Sequence, residues 1–163
     1  MLFTISAEYF SGRVQCTRED KQECLYTVRQ LLELAFEARD HGLLAMEEMV
    51  SDHTRFPDRF LRKAVELTME TSDPDKIRKV LYNLIITTKY VANNHFLKDV
   101  LITETMLAVS RSEDLDYVFA HLIPSYFGLD YSPQAEEVYR NYKASRAQER
   151  KMIRGLPLGT DQD

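Results

Sequence analysis

Along most of the chain apolar residues return every three or four positions rather than every second one, the spacing of one face of an α-helix. The spacing predicts a first long helix ending near Asp40. Thr17 stands at its N-cap with Asp20 three residues on, a near relative of the capping box, and Leu25, Val28, Leu32, Ala35 and Phe36 form one stripe. His41-Gly42 interrupts the pattern, residues 43–50 begin a shorter helix, and SDHTRFPD over residues 51–58 reads as a loop. The first sixteen residues carry no period and are expected to form an irregular or weakly extended arm.

From residue 60 the pattern repeats. In the first copy Phe60, Leu61, Ala64, Val65, Thr68 and Met69 form a stripe. Asp73 then caps, Pro74 takes the first helical position, and Ile77, Val80, Leu81, Leu84 and Ile85 form the next stripe. In the second copy Phe96, Leu97, Val100 and Leu101 precede Ser110 and Glu113, a capping-box pair. Leu115, Val118, Phe119, Leu122 and Ile123 follow at the same offsets. Two copies are too few for a free-standing solenoid, so the two helix-turn-helix units should pack on each other and on the first long helix as one compact all-α bundle.

Pro124 and Gly128 end that unit. Ser132-Pro133 opens a last helix whose apolar stripe, Ala135, Val138, Tyr139 and Tyr142, is short. Beyond it KASRAQERKMIR is basic, with Lys143, Arg146, Arg150, Lys151 and Arg154 against Glu149, and this half should project from the core. Tyr126, Phe127 and Tyr131 cluster in a predicted loop, where they would form an apolar contact patch. The expected organisation is an arm (1–16), a helical body (17–128), a basic final helix (129–154) and a disordered tail (155–163).

Composition narrows the function classes. The 163 residues hold five glycines, five prolines and two cysteines, Cys16 and Cys24, whose spacing matches no zinc or redox pattern; both are expected to be reduced, apolar thiols. The first ten residues have no basic flank, long apolar run or cleavage site, and no window approaches the ~20 apolar residues of a bilayer crossing, so a cytoplasmic protein without membrane insertion is expected. A net charge of −5, from 26 acids and 21 bases, gives no global attraction to phosphate.

Catalytic signatures are thin. His41, His53, His95 and His121 are scattered, so neither a metal site nor a cofactor is expected, and no phosphate loop, nucleophile elbow or reactive-cysteine context is present. Asp52 with His53 reads as a loop pair. Asp114 and Asp116 read as acids complementing a helix start.

Three stretches carry a family resemblance. ARDHGLLAMEE, over residues 38–48, resembles the ARREGLLALEE-like stretch of flagellar stator proteins of the MotA type. FLRKAVEL with TSDPDKIR, over residues 60–78, resembles the pattern that follows it in that family. LITETMLAV with Leu115 to Pro124 resembles the segment after the family's last membrane helix. The order is kept, and the resemblance covers residues 31–124, the cytoplasmic part of such a stator. A transmembrane hairpin separates the two segments in that family, whereas a short link over residues 87–95 joins them here. The resemblance implies that ion conduction and ring assembly through membrane helices are absent. It also implies retention of the charged surface that meets the rotor switch protein FliG, the family's basic residue falling on Arg39 and its acidic one on Glu47. Met69-Glu70-Thr71-Ser72 departs from the family, which usually has a glycine before its threonine.

The resulting expectation is a non-catalytic interaction module of the flagellar motor or its assembly, with Arg39 and Glu47 at the partner surface. The bland alternative for these two is a solvated pair worth about 0–1 kcal/mol. Lys143, Arg146, Arg150, Lys151 and Arg154 form a second candidate surface, whose bland alternative is a solvated helix end. A helical nucleic-acid-binding regulator using that basic helix is the competing reading, and an enzyme using loop carboxylates a third.

Overall fold

A computed structural model describes residues 14–89 and 93–155; residues 1–13 of the expected arm (1–16) and residues 156–163 of the expected tail (155–163) lie outside them. The elements are α1 (Arg18–His41), α2 (Leu43–Val50), α3 (Arg59–Glu70), α4 (Pro74–Thr87) and α5 (Asn93–Ser110). They continue with a single turn α6 (Leu115–Tyr117), a π-turn (Val118–Leu122), a single turn α7 (Ile123–Ser125) and α8 (Ser132–Gly155). No strand occurs among the described residues, and the fold is all-α.

Several helix ends form as their local chemistry dictates. Thr17 and Asp20 make the full capping box at α1: the Asp20 N–H donates to the Thr17 hydroxyl and the Thr17 N–H to the Asp20 carboxylate, each at 3.2 Å. Asp58 caps α3, and Asp73 caps α4 with Pro74 at its start.

The core is organised around α5, which packs on α1, α3 and α4. Its buried residues, from Phe96 and Leu97 through Val100, Leu101 and Ile102 to Met106 and Leu107, fall on more than one face, the mark of a helix enclosed by neighbours. The two copies therefore meet through α5. α4 is an edge helix in contact with α3 and α5, so it buries the narrow stripe Ile77, Leu81 and Ile85, and Val80, expected in the core, is exposed.

The second copy departs from the first after its turn. Ser110 is not a cap: its hydroxyl donates to the Leu107 carbonyl inside α5, Ser112 takes a positive φ of 52°, and Asp114 accepts from the Asp116 N–H at 3.0 Å as the N-cap. The expected single helix is broken by the π-turn, directly followed by α7 with Pro124, which has no N–H to give to the carbonyl four residues back. The expected contact patch is also corrected. Phe127 and Tyr131 are buried and stacked at 6.0 Å, Tyr126 is part-buried against the core, and the Tyr131 hydroxyl donates to Gln22 on α1 at 2.7 Å. These rings seat the start of α8 on α1, and Gly128, at φ 78°, turns the chain between them.

Candidate functional site

Gly42 shapes the region where Arg39 and Glu47 lie. Its φ of 94° and ψ of 168° are open in practice to glycine alone, and its N–H donates to the Ala38 carbonyl at 2.9 Å, closing α1. A Cβ there would meet nothing within 4 Å, so backbone conformation and not space requires the glycine. The break lets α2 turn Met46 and Val50 into the core while Glu47 and Glu48 stay exposed.

Arg39 is exposed on the last turn of α1. Its guanidinium lies 4.2 Å over the buried Phe36 ring, and its Nε donates to Asp40 Oδ1 at 2.9 Å. Arg146 of α8 reaches the same two groups: it lies 5.1 Å over Phe36, 5.7 Å over Tyr142, and donates to Asp40 Oδ2. Arg150 Nη2 is 3.9 Å from that oxygen. The hydrogen bonds from Arg39 and then Arg146 hold the Asp40 carboxyl at a pKa of about 2 against burial, which pushes the other way.

One helical turn earlier on α8, Lys143 Nζ lies 3.0 Å from Asp116 Oδ1, and Tyr139 donates its hydroxyl to the same oxygen. These bonds, Tyr139 first, hold Asp116 below the usual carboxylate range. α8 is thus fastened to the body by two carboxylates. The expected projection begins later than the end of the apolar stripe: Lys143 and Arg146 are tied to the body, and residues 150–155 stand exposed.

Between α8 and the end of α1 runs a groove of about 490 Å³. Phe36, Arg39 and Asp116 line one side, and Lys143, Arg146, Arg150, Lys151 and Arg154 the other. Lys143, Arg146, Arg150 and Arg154 follow at three- and four-residue spacing and so share one face of α8, and Lys151, next to Arg150, stands at its edge. The groove brings together Arg39 and the whole second candidate surface, and Glu47 lies outside it. On the other side of Arg39 a depression of about 530 Å³ reaches Gly42, Leu43 and the turns of both copies at Thr71, Ser72, Ser112 and Asp114. Arg39 borders both.

Sequence reasoning missed Phe36, Asp40 and Asp116 as members of this site. Asp40 adjoins Arg39 and Phe36 precedes it by three on the same helix, which was a usable signal. Asp116 does stand in the first turn of a helix that Asp114 caps, as its sequence position implies, and that role gives no sign of its bonds to Tyr139 and Lys143.

Cys24 is buried and Cys16 half-buried, both free thiols, and burial raises their pKa values to about 12 and about 11. Among the described residues no group of three or more His, Cys, Asp or Glu side chains is placed to hold a metal ion, and no helix is long and apolar enough to cross a membrane. No family model, curated protein or solved structure matches the chain.

Proposed function

We propose that this chain is a non-catalytic, cytoplasmic interaction module that contacts a flagellar motor or motor-assembly component, as the resemblance of residues 31–124 to a MotA-type cytoplasmic domain implies. The observation that carries the reading is the setting of Arg39. It stands exposed at the helix end that holds the matching motif, on the rim between two grooves, with Glu47 exposed beyond the Gly42 break. Charges on such a rim speed and register the approach of a partner more than they tighten the complex.

A pull-down from lysate with the tagged full chain tests it, comparing wild type with Arg39→Glu and Glu47→Lys. The wild type should recover the rotor switch protein or another motor component, and both reversals should reduce the yield. Recovery of no motor component, or unchanged recovery by both variants, contradicts the reading. The bases along one face of α8 favour a second reading, a nucleic-acid-binding regulator, which predicts a salt-dependent mobility shift with duplex DNA or RNA.

A further inference from the structure

We infer that the depression enclosed by the ends of α1, α3 and α5 binds a small aliphatic amine as its ammonium ion. The inference is independent of the motor reading and of the basic groove. Three helices run into this space of about 530 Å³ with their C-terminal ends: Ala38 and Arg39 line it from the last turn of α1, Thr68 and Met69 from that of α3, Val109 and Ser110 from that of α5. Aligned peptide dipoles leave about half a negative charge at each such end, and the carbonyls of a last turn point along the axis into the space beyond it. The uncapped start of α2 at Leu43 is the opposing dipole end, and the single turn α6 is already capped by Asp114.

The chain closes two of the three ends and leaves the third open. The Gly42 N–H returns to the Ala38 carbonyl at 2.9 Å, and the N–H groups of Glu113 and Ser112 return to the Ala108 and Val109 carbonyls at 2.9 and 3.1 Å. After α3 the backbone leaves in an extended conformation at Thr71. The Thr71 N–H goes back to the Leu67 carbonyl at 3.2 Å, and Asp73 gives its N–H to the Thr71 hydroxyl at 3.1 Å. Among the described residues no backbone N–H therefore reaches the last-turn carbonyls of Thr68 and Met69. A ligand that fits this end brings donors, and an ammonium group carries three of them and no acceptor.

The surrounding side chains select a charged donor on a hydrocarbon stem. Glu113 and Asp114 border the depression; Asp114 gives Oδ1 to the Asp116 N–H, and Glu113 meets Arg111 at 3.5 Å. Arg39, the cation of the lining, holds its guanidinium over Phe36 and on Asp40, neither of which borders this depression, so its charge is drawn away. The rest of the wall is apolar: Ala35 and Leu115 are buried, and Met69 and Val109 half-buried. Such a wall suits a short aliphatic stem and, by excluding water, strengthens the attraction between an ammonium ion and the acceptors.

Titration of the isotope-labelled full chain at pH 7 and near-physiological salt, followed by nuclear magnetic resonance, tests this with three probes of one stem: pentylamine, pentanol and pentanoate. Pentylamine should shift the amide signals of Thr71, Ser72, Ser112 and Leu115 to saturation and bind about tenfold more tightly than pentanol, with pentanoate weaker still. Glu113→Gln with Asp114→Asn should weaken pentylamine about tenfold and leave pentanol binding and the melting temperature unchanged, because asparagine caps a helix as well as aspartate does. Glu113→Gln alone, which leaves the cap untouched, should weaken pentylamine in the same direction. Equal binding of amine and alcohol, tighter binding of pentanoate, shifts spread over the exposed carboxylates of the whole surface, no saturable shift, or indifference to the double substitution overturns the proposal.

Discussion

Arg146 of the last helix donates to the carboxylate of Asp40 on the first, a bond between residues 106 apart in sequence, and both it and Arg39 cover the ring of Phe36. That bond joins the two segments that sequence reasoning treated as separate surfaces.

Asp40 makes the joint sensitive to acid. Its folded pKa of about 2 lies below the ordinary 3.8, so its contribution is complete above about pH 4 and disappears as the pH falls through about 2. Asp40→Asn should cost about 1 kcal/mol at pH 7, well below the nominal linkage because water screens the exposed Arg39 and Arg150. Urea unfolding at stepped pH should show wild type converging on the variant between pH 4 and pH 2. Parallel curves across that window would mean that Asp40 is not held by its arginines.

Phe36 is the apolar floor of the joint and is 3% exposed. Phe36→Ala should lower the unfolding free energy by about 3–5 kcal/mol, the range for truncating a buried aromatic ring. Denaturant titration checks it, and a loss under 1 kcal/mol would show that the ring is not packed as described.

Gly42 holds a backbone conformation that side chains resist, with open space around its α-carbon. Gly42→Ala should therefore cost about 1–3 kcal/mol through strain and not through a clash. Gly42→Asn should cost about as much as alanine, since asparagine tolerates positive φ mainly in the αL region and a ψ of 168° lies outside it. Equal stability of all three proteins in thermal melts would place the break elsewhere.

Cys24 should resist alkylation while the protein is folded. Its thiol is 2% exposed and kept protonated by a pKa of about 12. Iodoacetamide at pH 8, followed by mass spectrometry, should modify Cys24 only after denaturant is added, and modification at the same rate in native buffer would contradict the burial.

The parts of the fold legible in the sequence are those set by neighbours along the chain. Thr17 with Asp20, Asp73 with Pro74, and Gly42 act within one turn of where they stand, and each ends or begins a helix as its chemistry requires. The errors share a different physics. Ser110 and Glu113 have the letters of a capping box, but Ser112 turns into positive φ and hands the cap to Asp114. Tyr126, Phe127 and Tyr131 have the composition of a surface patch until α1 supplies Gln22, with Arg18 5.6 Å over the Tyr131 ring. At the candidate site the same division holds. The three- and four-residue spacing of Lys143, Arg146, Arg150 and Arg154 places those four on one face from sequence alone. Their union with Arg39 depends on Asp40 and Asp116, partners that only the tertiary fold brings near.

The most direct test of the account is the affinity of the purified full chain for the purified rotor switch protein, measured by titration calorimetry at two salt concentrations for wild type and Arg39→Glu. The account predicts binding that weakens with salt and falls about tenfold on charge reversal, equivalent to about 1.4 kcal/mol. No binding by wild type, or the same affinity for both proteins, would contradict it.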